Sequence, residues 1–161
     1  MSSTGSILKK KKDIKFDKLI QDIKLAAIRA GLEARINLDI QEDEYDGGVW
    51  TTGNIADTYE DIPGAQQWLM YIFSDRRVFF EYGDISAEEG LIRVVLIEGI
   101  SDCERILLDF LFEYLKLNPN DYFWTSESRC QFTYEDIKKI KKNKYDPNWC
   151  WKDPHADDIK Y

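Results

Sequence analysis

The segment Ser101–Leu117, SDCERILLDFLFEYLKL, constrains the fold most, because it is the longest uninterrupted helical pattern in the chain and the most apolar. Its charged residues recur every three or four positions and form one narrow stripe, so apolar side chains cover the rest of the helix. A capping box of Ser101 and Glu104 is expected to begin the helix, and Asn118 with Pro119 to end it. The rest of the chain must cover most of this helix. We therefore predict that it is core rather than a functional site.

The patterns around this helix predict an α+β fold, with a single domain in which helices pack on one face of an antiparallel β-meander of four to five strands. Residues 32–40 alternate apolar and polar side chains, which indicates a half-buried strand. Further strands are predicted at 49–55, 68–73, 77–82 and 91–97, a short edge strand at 121–124, and helices at 13–30 and 133–143; residues 87–96 also fit a helix start. Thr133 with Asp136 is expected to begin the helix at 133–143 as a second capping box. We expect residues 1–12 to be a flexible basic N-terminus and residues 13–161 to form the domain.

Length and cysteine content bound the class of protein. A chain of 161 residues can bury one core without disulfides or metal ions. Cys103, Cys130 and Cys150 are odd in number and widely spaced, so we expect reduced, structural cysteines. No apolar run approaches the roughly 20 residues of a membrane span, and the N-terminus lacks a secretory apolar region. We therefore expect a cytoplasmic protein that does not contact membranes.

The net charge of −8 is unevenly distributed along the chain. Residues 1–31 carry a net charge of +5, residues 32–135 a net charge of −15, and residues 136–161 a net charge of +2. An acidic body repels the phosphates of nucleic acids and membranes and attracts a basic protein surface. The charge pattern therefore favours a basic protein partner over nucleic acid, although a merely soluble surface would have the same composition.

The sequence contains no strong catalytic or metal-binding motif. His155 is the only histidine, and its neighbours Asp157 and Asp158 make at most a weak metal site. A calcium loop counted from Asp39 fails, because Glu44 stands where glycine is required. Carboxylates near aromatic residues leave a glycosidase-type enzyme open as an alternative, but nothing in the sequence places a pair at working distance. We predict no enzyme activity, no cofactor and no metal.

Acidic residues concentrate in three predicted loops, and aromatic residues lie in or beside the first two. Carboxylates around aromatic anchors are typical of a surface that captures a basic partner quickly and then holds it. In a meander the first and third loops emerge at the same end. The alternative is a solvated rim that keeps sheet edges from pairing. The third loop contains Asp84, Glu88 and Glu89; the predicted partner-binding residues, from the first two loops, are Glu42, Asp43, Glu44, Tyr45, Asp46, Trp50, Asp57, Tyr59, Glu60 and Asp61.

Two tryptophans lie in the C-terminal tail. Trp149 and Trp151 stand close to prolines in a segment without a clear helical or strand pattern. We predict that they clamp the tail onto the body, whereas an exposed pair would be a binding anchor.

The chain has a small, acidic, single-domain form and contains the run NPNDYFWTSES…FTYEDIKKI, within residues 118–140. In these two features it resembles immunity proteins encoded beside bacterial polymorphic toxins, including those of contact-dependent growth inhibition. The resemblance implies an inhibitor that plugs or covers the active site of a cognate toxin, often a nuclease, and that needs no cofactor. A nuclease groove is basic and would suit the acidic loops. The alternatives are a DNA-mimic inhibitor of a nucleic-acid-binding protein, and a small-ligand-binding domain or enzyme. The oligomeric state is left open.

Overall fold

The computed structural model describes residues 3–42, 48–73, 91–125 and 130–155. These residues form an α+β fold with an antiparallel sheet, which confirms the predicted class. The strands are β1 (Thr4–Lys10), β2 (Glu33–Ile36), β3 (Gln41–Glu42), β4 (Val49–Ala56), β5 (Gln67–Phe73), β6 (Leu91–Glu98), β7 (Tyr122–Thr125) and β8 (Gln131–Phe132). The helices are α1 (Phe16–Arg29), α2 (Glu104–Leu117) and α3 (Tyr134–Lys142), with short 3-10 turns at Lys11–Asp13 and Trp149–Trp151.

The sheet is larger than the predicted meander and differs from it in strand order. Its order is β2-β4-β5-β6-β1-β7-β8, and β3 also pairs with β4. Strands β4, β5 and β6 do form a meander. However, the first strand of the chain is inserted between β6 and β7, and it pairs with both. The N-terminal strand therefore lies inside the sheet.

The prediction that residues 1–12 are a flexible basic N-terminus is wrong for Thr4–Lys10. This segment is strand β1, and most of it is buried. Close packing fixes it: a Cβ on Gly5 would lie 2.7 Å from carbon atoms of the Phe123 ring. The run of lysines misled the prediction because pairing on both edges, rather than the segment's own composition, stabilises β1.

The helices pack against one face of the sheet, which we call the inner face. Inward side chains of the central strands, such as Ile55, Met70 and Ile97, are buried in one core with residues of α1 and α2. Trp68 meets Phe110 edge to face, with ring centroids 5.6 Å apart. The prediction that the central helix is core is confirmed; its buried residues are Ile106, Leu107, Leu108, Phe110, Leu111, Tyr114 and Leu115.

The two predicted capping boxes have different outcomes. At α3, Thr133 and Asp136 form the box, with Asp136 N donating to Thr133 Oγ1 at 3.2 Å and Thr133 N donating to Asp136 Oδ2 at 2.9 Å. At α2 the predicted box is wrong, because Ser101 instead bonds Ser3 Oγ at 2.7 Å. Asp102 adopts a left-handed φ of 69°, so the chain turns between Ser101 and the first residue of α2. Glu104 Oε1 accepts from the amide of Asp102 at 2.9 Å.

Several element boundaries also differ from the prediction. The strand predicted at 32–40 ends at Ile36, and Leu38 is 84% exposed. The strand predicted at 121–124 exists as β7, but it is not an edge strand, since β1 and β8 flank it. The strand predicted at 77–82 lies outside the described residues. The segment 91–97 is strand β6, which decides against the helix alternative there.

The C-terminal tail is fastened by Trp149, as predicted. Its ring packs against Phe123 and Phe132, at centroid distances of 6.1 and 5.6 Å, and its Nε1 donates to Glu104 O at 2.9 Å. Trp151 is half-buried and packs on the same core. The three cysteines are free, as expected.

Candidate partner-binding surface

Strand β4 separates the predicted partner-binding residues that the structure describes. Glu42 pairs with Val49 and lies near Trp50 at one end of this strand. Asp57, Tyr59, Glu60 and Asp61 follow the other end. The six steps from Trp50 to Ala56 span about 20 Å at roughly 3.3 Å per residue. The two groups therefore do not form one patch.

Part of the predicted surface lies outside the described residues. This applies to Asp43, Glu44, Tyr45 and Asp46 in the first loop and to Asp84, Glu88 and Glu89 in the third. The predicted meeting of those two loops stays a prediction. The second loop, between β4 and β5, is described completely.

Asp57 organises the β4–β5 loop from within. Its Oδ1 accepts from the amide of Thr58 at 2.7 Å and from the amide of Gln66 at 2.9 Å, which ties the start of the loop to its end. Glu60 and Asp61 are exposed, and their carboxylates make no ion pair or hydrogen bond with the described part of the chain. Hydrogen bonds to Asp57 therefore close the loop, and Glu60 and Asp61 are exposed on it.

Tyr59 is held in place on the sheet. The Arg35 guanidinium lies over its ring, 3.7 Å from the centroid, which is a cation–π contact. Its hydroxyl lies 2.8 Å from Asn54 O and 2.6 Å from Asn54 Oδ1, the two acceptors available to its proton. Burial raises the pKa of this hydroxyl, and Arg35 partly offsets the rise. Tyr59 is thus a fixed aromatic group, as an anchor requires.

A second acidic connection, between β6 and α2, emerges at the same end of the sheet. Strands β4, β5 and β6 are neighbours, and Leu69 pairs directly with Glu98. The connections 57–66 and 98–104 are therefore adjacent. They contain Asp57, Glu60, Asp61, Glu98, Asp102 and Glu104 and no lysine or arginine. We call these six carboxylates the acidic end.

Cys103 shows how closely the two connections approach. Its thiol donates to Gln67 O at 3.3 Å, which joins the start of α2 to the start of β5. Burial raises the pKa of the Cys103 thiol above its ordinary value. The carboxylates of Glu104, Asp102 and Asp57 raise this pKa further. Carboxylates of both connections therefore lie close enough to affect the pKa of this one thiol.

Sequence reasoning missed half of the acidic end. Glu98, Asp102 and Glu104 are distant in sequence from the predicted loop residues. Asp102 and Glu104 lie in the predicted core helix, and Glu98 follows the strand predicted at 91–97. The signal that could have found them is strand order, because only the pairing of β5 with β6 brings Glu98 beside the β4–β5 loop.

The outer face of the sheet, opposite the helices, adjoins the acidic end. Leu69 is 40% exposed there although β5 is an interior strand. The predicted anchor Trp50 lies further along this face, with its ring centroid 6.4 Å from that of Tyr71. An open depression of about 490 Å³ lies between β4, β5 and β6. It is lined by Asn54, Gln67, Trp68, Leu69, Glu98 and Gly99.

A buried polar network lies at the opposite end of β1. Lys9 Nζ is 2.8 Å from Asp121 Oδ2 and 3.2 Å from Asn118 Oδ1. Tyr114 donates its hydroxyl proton to Asp121 Oδ2 at 2.7 Å. Burial raises the pKa of Asp121, and Lys9 partly offsets the rise; burial also raises the pKa of Tyr114 well above 10.0.

This network is structural rather than a binding site. Its buried ammonium and carboxylate neutralise each other, so neither is left for a ligand. A neighbouring depression of about 220 Å³ is lined by lysines and aspartates in equal number: Lys9, Lys15, Lys18, Asp13, Asp22 and Asp121. Lys18 in turn contacts Asp22. The network joins β1 to the end of α2.

The weak metal motif at His155 has a simpler explanation within the described residues. His155 Nε2 lies 3.2 Å from the carboxylate of Asp136, which already caps α3. Among the residues that the structure describes, no three His, Cys, Asp or Glu side chains are grouped so as to hold a metal ion. Asp157 and Asp158 lie outside them. No helix in the described ranges is long and apolar enough to cross a membrane.

Among the described residues, one end of the sheet thus provides a surface that combines charge, exposed apolar area and fixed geometry. It consists of the acidic end, Tyr59 and the adjoining outer face around Leu69. Comparison with known protein families, with curated proteins and with solved structures finds no match.

Proposed function

We propose that this chain is an immunity protein that binds and neutralises a cognate toxin domain with a basic active-site groove, as in a nuclease. The observation that carries the proposal is the acidic end, in which two adjacent connections supply six carboxylates and no basic side chain. A basic groove has complementary charge, so encounter would be steered and fast. Covering the groove would then exclude its substrate.

The presence of both exposed carboxylates and apolar side chains on this surface supports the proposal. Glu60, Asp61 and Asp102 are exposed and suited to long-range steering. Tyr59 and Leu69 provide the apolar contact that would slow dissociation, since interface energy concentrates at a few desolvated anchors.

The surface is also preorganised. Asp57 closes the β4–β5 loop, Asn54 and Arg35 hold Tyr59, and the Cys103 thiol joins the second connection to β5. A surface that is ordered before binding loses little conformational entropy on association. This geometry suits an inhibitor that acts by shape and charge and needs no cofactor.

The test is capture of the partner with the purified protein. Host proteins, including the product of the adjacent upstream gene, are passed over the immobilised chain at low and at moderate salt, and bound proteins are identified by mass spectrometry. We expect stoichiometric capture of one basic domain, and we expect equimolar addition of this chain to abolish that domain's toxic activity. Absence of a basic partner at both salt concentrations, or a captured domain that stays fully active, would overturn the proposal.

Charge reversals locate the contact. Glu60→Lys with Asp61→Lys should weaken capture strongly, whereas Asp13→Lys with Asp17→Lys changes the net charge equally at the far end of the sheet and should not. Reversal of Glu42, Asp43, Glu44 and Asp46 tests the first predicted loop separately. Loss of capture only in that last variant would move the contact to the other end of β4.

A further inference from the structure

We infer that the outer-face depression between Leu69 and Glu98 receives an arginine side chain of the partner. This inference rests on the proposed function and specifies its central contact. The acidic end steers any basic surface, whereas this depression would select one kind of side chain.

The depression is built across three neighbouring strands. Leu69 on β5 pairs directly with Asn54 on β4 and with Glu98 on β6, so the three side chains form one row on the outer face. Paired side chains of this kind have Cβ atoms about 5 Å apart. The row therefore places an amide, an exposed leucine and a carboxylate side by side. Gly99, which has no side chain, leaves space at its end.

Glu98 supplies an unused carboxylate. It is half-buried, and it makes no ion pair or hydrogen bond to any residue within the described ranges. Partial burial weakens the competition of water, so an incoming cation would interact with it more strongly than with a fully exposed acid. Its neighbours across the strands are Thr4 and Leu69, neither of which carries a charge.

The row suits arginine better than lysine. The guanidinium group is planar and weakly hydrated and can bond a carboxylate through two parallel N–H groups, while its methylene stem packs on an apolar side chain. Leu69 offers the apolar contact and Glu98 the carboxylate. The same face already holds one such group, because Arg35 stacks on Tyr59. A volume of about 490 Å³ leaves room for an arginine side chain with part of its backbone.

The test uses the side chain alone. N-acetyl-arginine amide is titrated into the ¹⁵N-labelled protein, and the backbone amide signals are followed by NMR. We expect saturable shifts at Gln67, Leu69 and Gly99, and at least fivefold weaker binding of the neutral isostere N-acetyl-citrulline amide. N-acetyl-lysine amide should also bind more weakly. Equal binding of citrulline, or no saturable shift at these amides, would overturn the inference.

Two variants distinguish arginine binding in the depression from attraction by the net negative charge of the protein. Glu98→Gln should weaken arginine binding at least fivefold, whereas Glu113→Gln removes the same charge from helix α2 and should leave it unchanged. Thermal unfolding of both variants controls for folding. Equal weakening by both substitutions would show that net charge alone attracts arginine and would contradict the inference.

The two proposals fail separately. If the basic partner is captured but arginine does not bind at Leu69 and Glu98, the inference fails and the immunity function stands. If arginine binds there but no basic partner is captured, the proposed function fails and the arginine site stands.

Discussion

The environment of Lys9 differs from that of the lysines that follow it in sequence. This residue belongs to the run Lys9 to Lys12, yet its ammonium is buried and paired with Asp121, whereas Lys11 and Lys12 are exposed. Leu8, the residue before it on β1, pairs with both β6 and β7. A lysine at this position therefore ties the sheet to the end of α2 rather than forming part of a solvated tail.

Removing the ammonium should destabilise the fold. We predict that Lys9→Met lowers the free energy of unfolding by about 3–5 kcal/mol at pH 7, because the Asp121 carboxylate is left buried without its counter-charge. Lys12→Met is the matched control and should change stability by less than about 0.5 kcal/mol, since it removes an exposed charge. Urea unfolding measures both. A loss below about 1 kcal/mol for Lys9→Met would contradict this prediction, because it would mean that hydration or protonation relieves the unpaired Asp121 carboxylate.

Asp121 should give a pH dependence opposite to that of an ordinary salt-bridged carboxylate. Burial raises its folded pKa above the ordinary 3.8, so the folded protein holds this proton more tightly than the unfolded chain does. Its contribution to stability is complete below pH 3.8 and is lost as the pH rises through the folded pKa.

The prediction is a comparison with Asp121→Asn, which cannot titrate. The stability of the natural chain relative to this variant should fall as the pH is raised from 3 towards 6, as measured by urea unfolding at each pH. A relative stability that rises over the same interval would mean that pairing with Lys9 outweighs burial in setting this pKa.

At the scale of single elements, the two predicted capping boxes make a direct contrast. Thr133 caps α3 through a reciprocal pair of hydrogen bonds with Asp136. We predict that Thr133→Ala lowers the free energy of unfolding by about 1 kcal/mol, whereas Thr133→Ser, which keeps the hydroxyl, has little effect. Chemical unfolding of both variants provides the measurement. Equal losses would show that the methyl group of Thr133, rather than its hydroxyl, carries the stabilisation.

Elements with a strong internal period could be predicted from sequence. The apolar circumference of α2 and the strands β4, β5 and β6 were all expected close to their observed bounds. Their local patterns agree with the tertiary structure that buries them. Strand β1 could not be predicted in this way, because its lysines are accommodated by long-range contacts such as that between Lys9 and Asp121.

At the scale of the whole molecule, topology creates the candidate surface. The order β4-β5-β6 places the connections 57–66 and 98–104 side by side, although they are separated by most of two strands and by the segment 74–90 in sequence. Sequence reasoning found the first connection and its anchor Tyr59, since acidic and aromatic residues cluster there. It missed Glu98 and the exposed Leu69, because their neighbourhood depends on a register that local patterns do not specify.

The same topology separates the two predicted loops. Glu42 and Trp50 lie at one end of β4, and Glu60 and Asp61 lie beyond the other. A compact groove of the partner that binds at one end of β4 would not also contact the residues at the other end. Charge reversals at the two ends should therefore have unequal effects on binding, and the acidic end should dominate.

The most direct test of the immunity proposal is the association rate of the captured toxin domain, measured by stopped-flow fluorescence over a range of salt concentrations. We predict that Glu60→Lys with Asp61→Lys slows association at least tenfold at low salt and reduces the salt dependence, because steering by the acidic end is lost. Asp13→Lys with Asp17→Lys should leave the rate within about twofold at roughly 0.15 M salt, since exposed charges more than about 8 Å from the contact are largely screened there. Equal slowing by both pairs, or by neither, would contradict the claim that the acidic end receives the partner.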